Sequence, residues 1–255
     1  MHRTFLALLA LLLLTAPFAA PAAAQSAKES ESGHRYPVTV QGTAKADETA
    51  KEGGEQAKKP APPVLDLFGL AIREKTIFNV NVYSYVLYVD RAFTAEKLAR
   101  FAGLKLSKLE KKKELFDLLL QQNATKELRL RFCRSVDTED IVSAFEDSLK
   151  PRMLARKKAA KGSEAEKLAT LNRFRGFFSL DQLKKGNELR FTWHPDGTLS
   201  TVVNGVRKPD LVAPDLAASL FDVYLGAKPI TKSGKKKLIR RLPEVLASVA
   251  PKKAR

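Results

Sequence analysis

Hydrophobic and polar residues alternate most regularly between Glu188 and Val203. Apolar positions recur every second residue over 188–193, as a half-buried strand requires, and the alternation restarts over 199–203 after the turn residues Pro195–Gly197. Beyond Pro214, which suits a first helical turn, apolar residues recur at helical spacing up to Gly226. This order of strand, turn, strand, turn and helix predicts an α+β domain with a local antiparallel meander.

The same two periods predict the remaining elements. Over 76–89 the even-numbered positions are mostly apolar, whereas Asn79, Asn81, Tyr83 and Tyr85 share the other face, a half-polar surface suited to line a cavity. Further strands are predicted at 64–72, 76–89 and 126–134, and helices at 94–102, 108–121, 138–149, 163–178 and 233–241.

The first 24 residues have the pattern of a secretory signal peptide. Arg3 supplies a positive charge, Phe5–Leu14 is an apolar run of 10 residues, and Ala22–Ala24 offers small residues before Gln25. A membrane anchor would need about 20 apolar residues, so export is favoured over anchoring. No cysteine lies near the cleavage site to carry a lipid, and the expected location is therefore the periplasm.

Composition divides the rest of the chain into three segments. Residues 25–63 are rich in polar and small residues and predict a disordered polar linker, because they offer little surface to bury. Apolar density rises at Val64, so the folded domain is expected over 64–243, followed by a basic tail over 244–255. Cys133 is the sole cysteine, so the exported domain would be stabilised by packing alone.

Basic residues are in large excess, with a net charge of +17 and an isoelectric point near 9.9. They cluster at 150–161, 232–241 and 252–255. Nucleic acid is not an expected partner, because the chain carries an export signal and no basic motif with interleaved aromatic residues. An anionic membrane surface fits the charge better. A solvated basic surface without a specific partner remains open.

Few side chains could support catalysis or bind a cofactor. The chain has one cysteine and three histidines, of which His2 lies in the signal and His34 in the linker. His194 stands at a turn before Pro195, where a histidine in contact with solvent is the ordinary interpretation. No metal site, phosphate-binding loop or cofactor is expected from these residues.

Two segments carry a resemblance to a known family. Asn204-Gly205, the helix ending in Phe221–Gly226, and Pro229 are similar to the C-terminal half of bacterial chalcone isomerase-like proteins. The N-terminal half of that family has a Gly-x-Gly-x-Arg stretch before a Tyr-rich strand, and here Gly69–Arg73 precedes 78–88 with alanine at the second glycine. The resemblance covers roughly 62–243 and implies an open antiparallel sheet with a layer of helices on one face.

The resemblance also places the positions at which such enzymes hold their substrate. Arg73 matches the motif arginine, and Tyr83 falls where plant enzymes carry threonine. Ile141, Ser148 and Val223 stand where they carry tyrosine, asparagine, and threonine or serine. Ring closure of a chalcone requires donors around the developing enolate, and Ile141 and Val223 offer none. Chalcone cyclisation is therefore not expected, and no catalytic residue is assigned.

A non-catalytic role follows more readily. Plant relatives of this fold bind fatty acids with an Arg/Tyr pair at the carboxylate, and a guanidinium binds a carboxylate by paired hydrogen bonds. The expected ligand is a small amphipathic acid, and the expected ligand-binding residues are Arg73, Tyr83, Tyr85 and Ser148. Isomerisation of an unknown substrate and a structural role in the cell envelope remain open. A carrier should have an apolar cavity that ends at Arg73. An isomerase should have a cleft with more polar side chains, and a structural protein should have no cavity.

Overall fold

The computed structural model describes residues 25–45, 61–75, 80–156 and 163–249, and the signal peptide predicted at 1–24 lies outside these ranges. The strands are β1 (Ser26–Lys28), β2 (Arg35–Pro37), β3 (Thr39–Gln41), β4 (Val64–Lys75), β5 (Val80–Asp90), β6 (Lys126–Phe132), β7 (Val136–Asp137), β8 (Gln182–Leu183), β9 (Glu188–Trp193), β10 (Thr198–Val203), β11 (Val206–Arg207) and β12 (Leu211–Val212). The helices are α1 (Arg91–Phe93), α2 (Leu106–Leu109), α3 (Lys113–Leu119), α4 (Thr138–Ala155), α5 (Glu164–Arg175), α6 (Pro214–Leu225), α7 (Lys232–Lys237) and α8 (Leu242–Val249). Single helical turns of other geometry occupy Thr94–Leu98, Ala99–Phe101 and Gly176–Phe178.

An antiparallel sheet forms the centre of the described residues. Its strands follow the order β11-β10-β9-β6-β5-β4-β3, with β12 beside β10. Helices cover one face, and α6 has ten of its twelve residues buried because it lies between β10 and the helices α4 and α5. The predicted architecture, an α+β fold with an antiparallel sheet and helices on one face, is confirmed.

The lysine-rich segment before β6 is built differently from its prediction. Instead of one helix over 108–121, it forms α2 and α3 with a break between them. Leu109 and Leu115 are both fully buried. Residues six apart point about 120° apart on a continuous helix, and the break between α2 and α3 lets both leucines reach the core.

A bulge in β4 decides which side chains reach the helix-covered face. Leu67 lies opposite Tyr88, but the next paired residue is Gly69, opposite Leu87, so Phe68 is the extra residue. Leu65 and Leu67 therefore lie on the face of the sheet that points away from the helices. After the bulge, the odd-numbered positions from Gly69 to Arg73 face the helices. A Cβ on Gly69 would lie 2.2 Å from the carbonyl oxygen of Lys237, so glycine allows the chain after α7 to pack on the strand.

The prediction of a disordered linker over 25–63 is wrong for its first part. Residues 25–45, which we call the strap, cross the sheet face that the helices leave open, and β3 pairs with β4. Tyr36 is 1% exposed and packs in an apolar cluster with Val86 and Tyr88. The sheet supplies the apolar surface that the strap lacks, and this is why a polar segment becomes ordered. Residues 46–60 lie outside the described ranges.

The predicted tail also begins too early. Residues 242–249 form α8, in which Leu242, Val245 and Leu246 are buried against the core. Their spacing is helical, but the basic residues around them obscured it in the sequence. Within the described ranges, no helix is both long enough and apolar enough to cross a membrane.

Candidate functional site

A cavity of about 50 Å³ lies between the sheet and the helices α4 and α6. Tyr83 and Phe132 form its floor on β5 and β6, and α4 contributes Ile141 and Ser148. The remaining wall comes from α6 and the residues that follow it, and most of the lining is apolar. The other lining residues are Leu130, Ala144, Phe145, Val223, Tyr224 and Ile230.

Arg73 lies on the cavity side of the sheet. It is the direct cross-strand partner of Tyr83, so the two side chains project from the same face. In the described part of the chain, no hydrogen bond or salt bridge engages its guanidinium, which is partly buried. A cation placed in this way can bind an acidic group that enters from outside.

Two tyrosine hydroxyls meet beside Arg73. The Oη atoms of Tyr83 and Tyr224 are 3.3 Å apart, and both side chains are buried. Burial raises the pKa of Tyr83, against smaller lowering effects of the Tyr224 hydroxyl and the Arg73 charge. Burial also raises the pKa of Tyr224 well above its ordinary value. Both hydroxyls are therefore neutral near pH 7, and one of them can donate to a carboxylate.

Tyr85 was predicted to contact a ligand, but it lies one layer behind the cavity lining. Its ring packs 5.0 Å from that of Tyr224, and its Oη lies 3.3 Å from Oγ1 of Thr231. Burial raises the pKa of Tyr85 to about 12. The geometry makes Tyr85 a support for Tyr224 and for the start of α7.

The positions aligned with the substrate contacts of chalcone isomerases converge on this cavity. Ile141 and Ser148 are two helical turns apart on α4, so both face the same way, and Val223 approaches from α6. Of the other two predicted residues, Tyr83 lines the cavity and Arg73 lies beside it as its cross-strand partner, outside the lining. Tyr224 was missed, although it immediately follows Val223 in the helix that carries the resemblance.

The lining offers hydrogen-bond donors without a catalytic base. Its polar side chains are Tyr83, Ser148 and Tyr224, and neither described histidine is among the lining residues. His194 instead lies 2.9 Å from Oγ of Ser200 and is buried, which corrects its interpretation as a solvent-exposed turn residue. In the described ranges, no three or more His, Cys, Asp and Glu side chains group as metal ligands would. The arrangement suits holding an apolar chain with an acidic head.

The volume of the cavity is small for a ligand-binding site. Small-molecule pockets typically enclose about 300–1,000 Å³, several times the volume found here. An extended ligand therefore requires the walls to separate. Ala144 is exposed and Ser148 is partly exposed, so the α4 side of the cavity is its contact with solvent.

In the described residues, a helix-covered antiparallel sheet encloses a small apolar cavity beside an arginine that has no acidic partner, and this architecture defines the protein as an α+β domain. The sequence profile of the chalcone isomerase-like family matches residues 101–239, more than half of the chain. The protein belongs to that family.

Two relatives from Arabidopsis thaliana extend this comparison. Fatty-acid-binding protein 2 is 26% identical over 173 residues, a match that covers 67% of this chain and 42% of that protein. The chain thus spans less than half the length of that relative. The crystal structure of another fatty-acid binding protein from the same plant superposes with a TM-score of 0.65 at 17% identity, covering 88% of this chain and 100% of that one. This likeness shows that the fold is shared.

Proposed function

We propose that the protein binds a fatty acid or a similar small amphipathic carboxylate, without converting it. The observation that carries this proposal is the position of Arg73, a cation without an acidic partner in the described residues, next to Tyr83 on the cavity side of the sheet. The guanidinium and one tyrosine hydroxyl would bind the carboxylate, and the apolar lining would receive the chain. Both plant relatives are named as fatty-acid-binding proteins, which supports the same ligand class.

The cavity argues against isomerisation as the main activity. Ile141 and Val223 bring only hydrocarbon to the places where such an enzyme needs donors. Removal of one such donor typically costs about 2.7–4 kcal/mol of transition-state stabilisation.

We also propose that the protein works after export, in a periplasm. The signal pattern at 1–24 supports this location.

The first prediction concerns the affinity for a long-chain fatty acid, measured by calorimetry with purified protein. Arg73→Ala is expected to weaken binding roughly 10- to 150-fold, because a charge-assisted hydrogen bond contributes about 1.5–3 kcal/mol. Tyr83→Phe keeps the ring and loses one neutral donor, so its effect should be only about 2- to 13-fold. Arg134→Ala removes an exposed arginine outside the lining and is the matched control.

A second variant tests the cavity rather than the cation. Ser148→Phe places an aromatic ring into the cavity from a partly exposed position of α4, where overpacking is easily relieved. It should abolish binding while the unfolding transition stays close to that of the wild type. If fatty acids bind with Ser148→Phe as tightly as without it, the ligand lies elsewhere. If the wild type binds none, the proposed function is wrong.

A further inference from the structure

A concentration of lysines lies beside Ile230, which forms part of the wall of the candidate cavity. We call residues 108–113 and 232–237 together the basic face; they contain eight lysines and one carboxylate, Glu110. Lys236 on α7 lies 3.6 Å from Glu110. Lys111, Lys113 and Lys235 line one surface hollow of about 300 Å³, in which the carboxylates are Glu110 and Asp117. The two segments, distant in sequence, thus form one continuous surface.

Several lysine side chains of the basic face form no hydrogen bond or salt bridge with the described residues. Lys235 lies inward, where its Nζ donates to the Gly226 carbonyl at 2.8 Å and sits 4.0 Å from the Phe116 ring centroid. Lys108, Lys112 and Lys232 are exposed, and in the described ranges their side chains make neither a hydrogen bond nor a salt bridge. Like charges in such proximity repel and destabilise short helices, so the fold alone does not account for them.

The start of α7 is built onto the tyrosines of the candidate site. Ile230 is part of the cavity wall, and Thr231 caps α7 by accepting from the Gly234 amide at 3.1 Å. A Cβ on Gly234 would lie 1.8 Å from Oη of Tyr85, so the helix rests directly on that hydroxyl. A displacement of α7 would therefore move Ile230 and also Tyr85, which packs against Tyr224.

We propose that the basic face docks on a bilayer of anionic lipids, and that the ligand passes between this bilayer and the cavity where Ile230, beside α7, forms the cavity wall. The docking step follows from the charge and position of the lysines, whereas the exchange step rests on the proposed function. An apolar chain that passes directly from a bilayer into an apolar cavity avoids exposure to water. Nucleic acid would also be attracted by the positive charge, but its binding would not account for an apolar cavity beside the contact surface.

Vesicle sedimentation with the mature chain, free of fatty acid, tests the docking step. The protein should bind vesicles of phosphatidylcholine mixed with phosphatidylglycerol, bind pure phosphatidylcholine weakly, and dissociate as salt is raised. Each lysine at a membrane surface contributes about fivefold to affinity, so Lys232→Gln with Lys236→Gln should weaken binding about 25-fold. Lys184→Gln with Lys185→Gln removes the same charge from two exposed residues next to β8 and should change binding much less.

The exchange step is tested by the transfer rate of a fluorescent fatty acid from anionic vesicles. The Lys232/Lys236 variant should retain the equilibrium affinity for the free acid but load more slowly, and the Lys184/Lys185 variant should load normally. Equal losses of vesicle binding in both variants, or tighter lysine-dependent binding to a DNA oligonucleotide than to vesicles, would overturn the docking site. Vesicle binding without any affinity for fatty acid would leave docking intact and refute the exchange and the proposed function.

Discussion

Lys126 shows how a single residue can be perturbed by the core around it. Its side chain is fully buried on β6, and its Nζ donates to the Gln121 carbonyl at 2.6 Å and to Oδ1 of Asn123 at 3.3 Å. The same atom lies 4.5 Å from the Trp193 ring centroid. Burial lowers the pKa of Lys126 to about 7, against a smaller raising effect of Asp90.

This perturbation predicts a dependence of stability on pH. The unfolded chain keeps a proton on Lys126 up to a pKa of 10.5, whereas the folded chain releases it near 7. Between these values the unfolded state binds more protons, so stability should rise with pH, by at most about 1.4 kcal/mol per pH unit. Urea unfolding of the wild type and of Lys126→Met between about pH 7 and 9 measures it. Equal slopes for the two proteins would show that Lys126 is not the cause.

At the scale of elements, the strap is held by contacts that span the sheet. The Tyr36 hydroxyl lies 2.7 Å from Oγ of Ser84, and Tyr88 Oη donates to the Pro37 carbonyl at 2.8 Å. Tyr36 also covers Leu65 and Leu67, which the bulge in β4 directs away from the helices. The strap and the helices thus protect opposite faces of one sheet.

The strap is therefore expected to contribute to global stability. Tyr36→Ala should lower the free energy of unfolding by about 3–5 kcal/mol, the range for removal of a large buried aromatic side chain. Val38→Ala, two residues away at a partly exposed position, is the control and should cost far less. Denaturant unfolding gives both values. Equal, negligible effects would support the disordered linker that the composition of this segment predicts.

On the scale of the whole molecule, the predicted cleavage site and the folded domain are adjacent. β1 begins at Ser26, one residue after Gln25, and Lys28 at its end pairs with Arg35 on β2. Cleavage before Gln25 would therefore leave every described element intact. The strap would then form the first part of the mature protein.

Processing can be measured directly. When the full chain is expressed in a Gram-negative host, N-terminal sequencing of the periplasmic protein is expected to start near Gln25. Leu9→Arg interrupts the apolar run of the predicted signal and should keep the chain in the cytoplasm. Recovery of a membrane-bound form that still begins at Met1 would instead indicate an anchor.

The sequence by itself determined the parts of this protein that depend on local pattern. Alternation over 188–203 and helical spacing after Pro214 correctly predicted β9, β10 and α6, because each period reflects which side of an element is buried. Arg73, Tyr83 and Ser148 were proposed as ligand contacts because their positions resemble those of a known family, and this role stays a prediction. These features require no knowledge of which segments meet.

Only the tertiary structure decided what depends on contacts between distant segments. The hydroxyls of Tyr83 and Tyr224 meet across 141 residues of sequence, and no local pattern announces that pairing. Tyr85 fits the same alternation as Tyr83 but lies behind the lining, because Tyr224 and Thr231 occupy the space above it. The order of the strap depends on an apolar surface exposed by a bulge elsewhere in the chain. Burial is a property of the assembled core, and sequence pattern shows only which residues are suited to it.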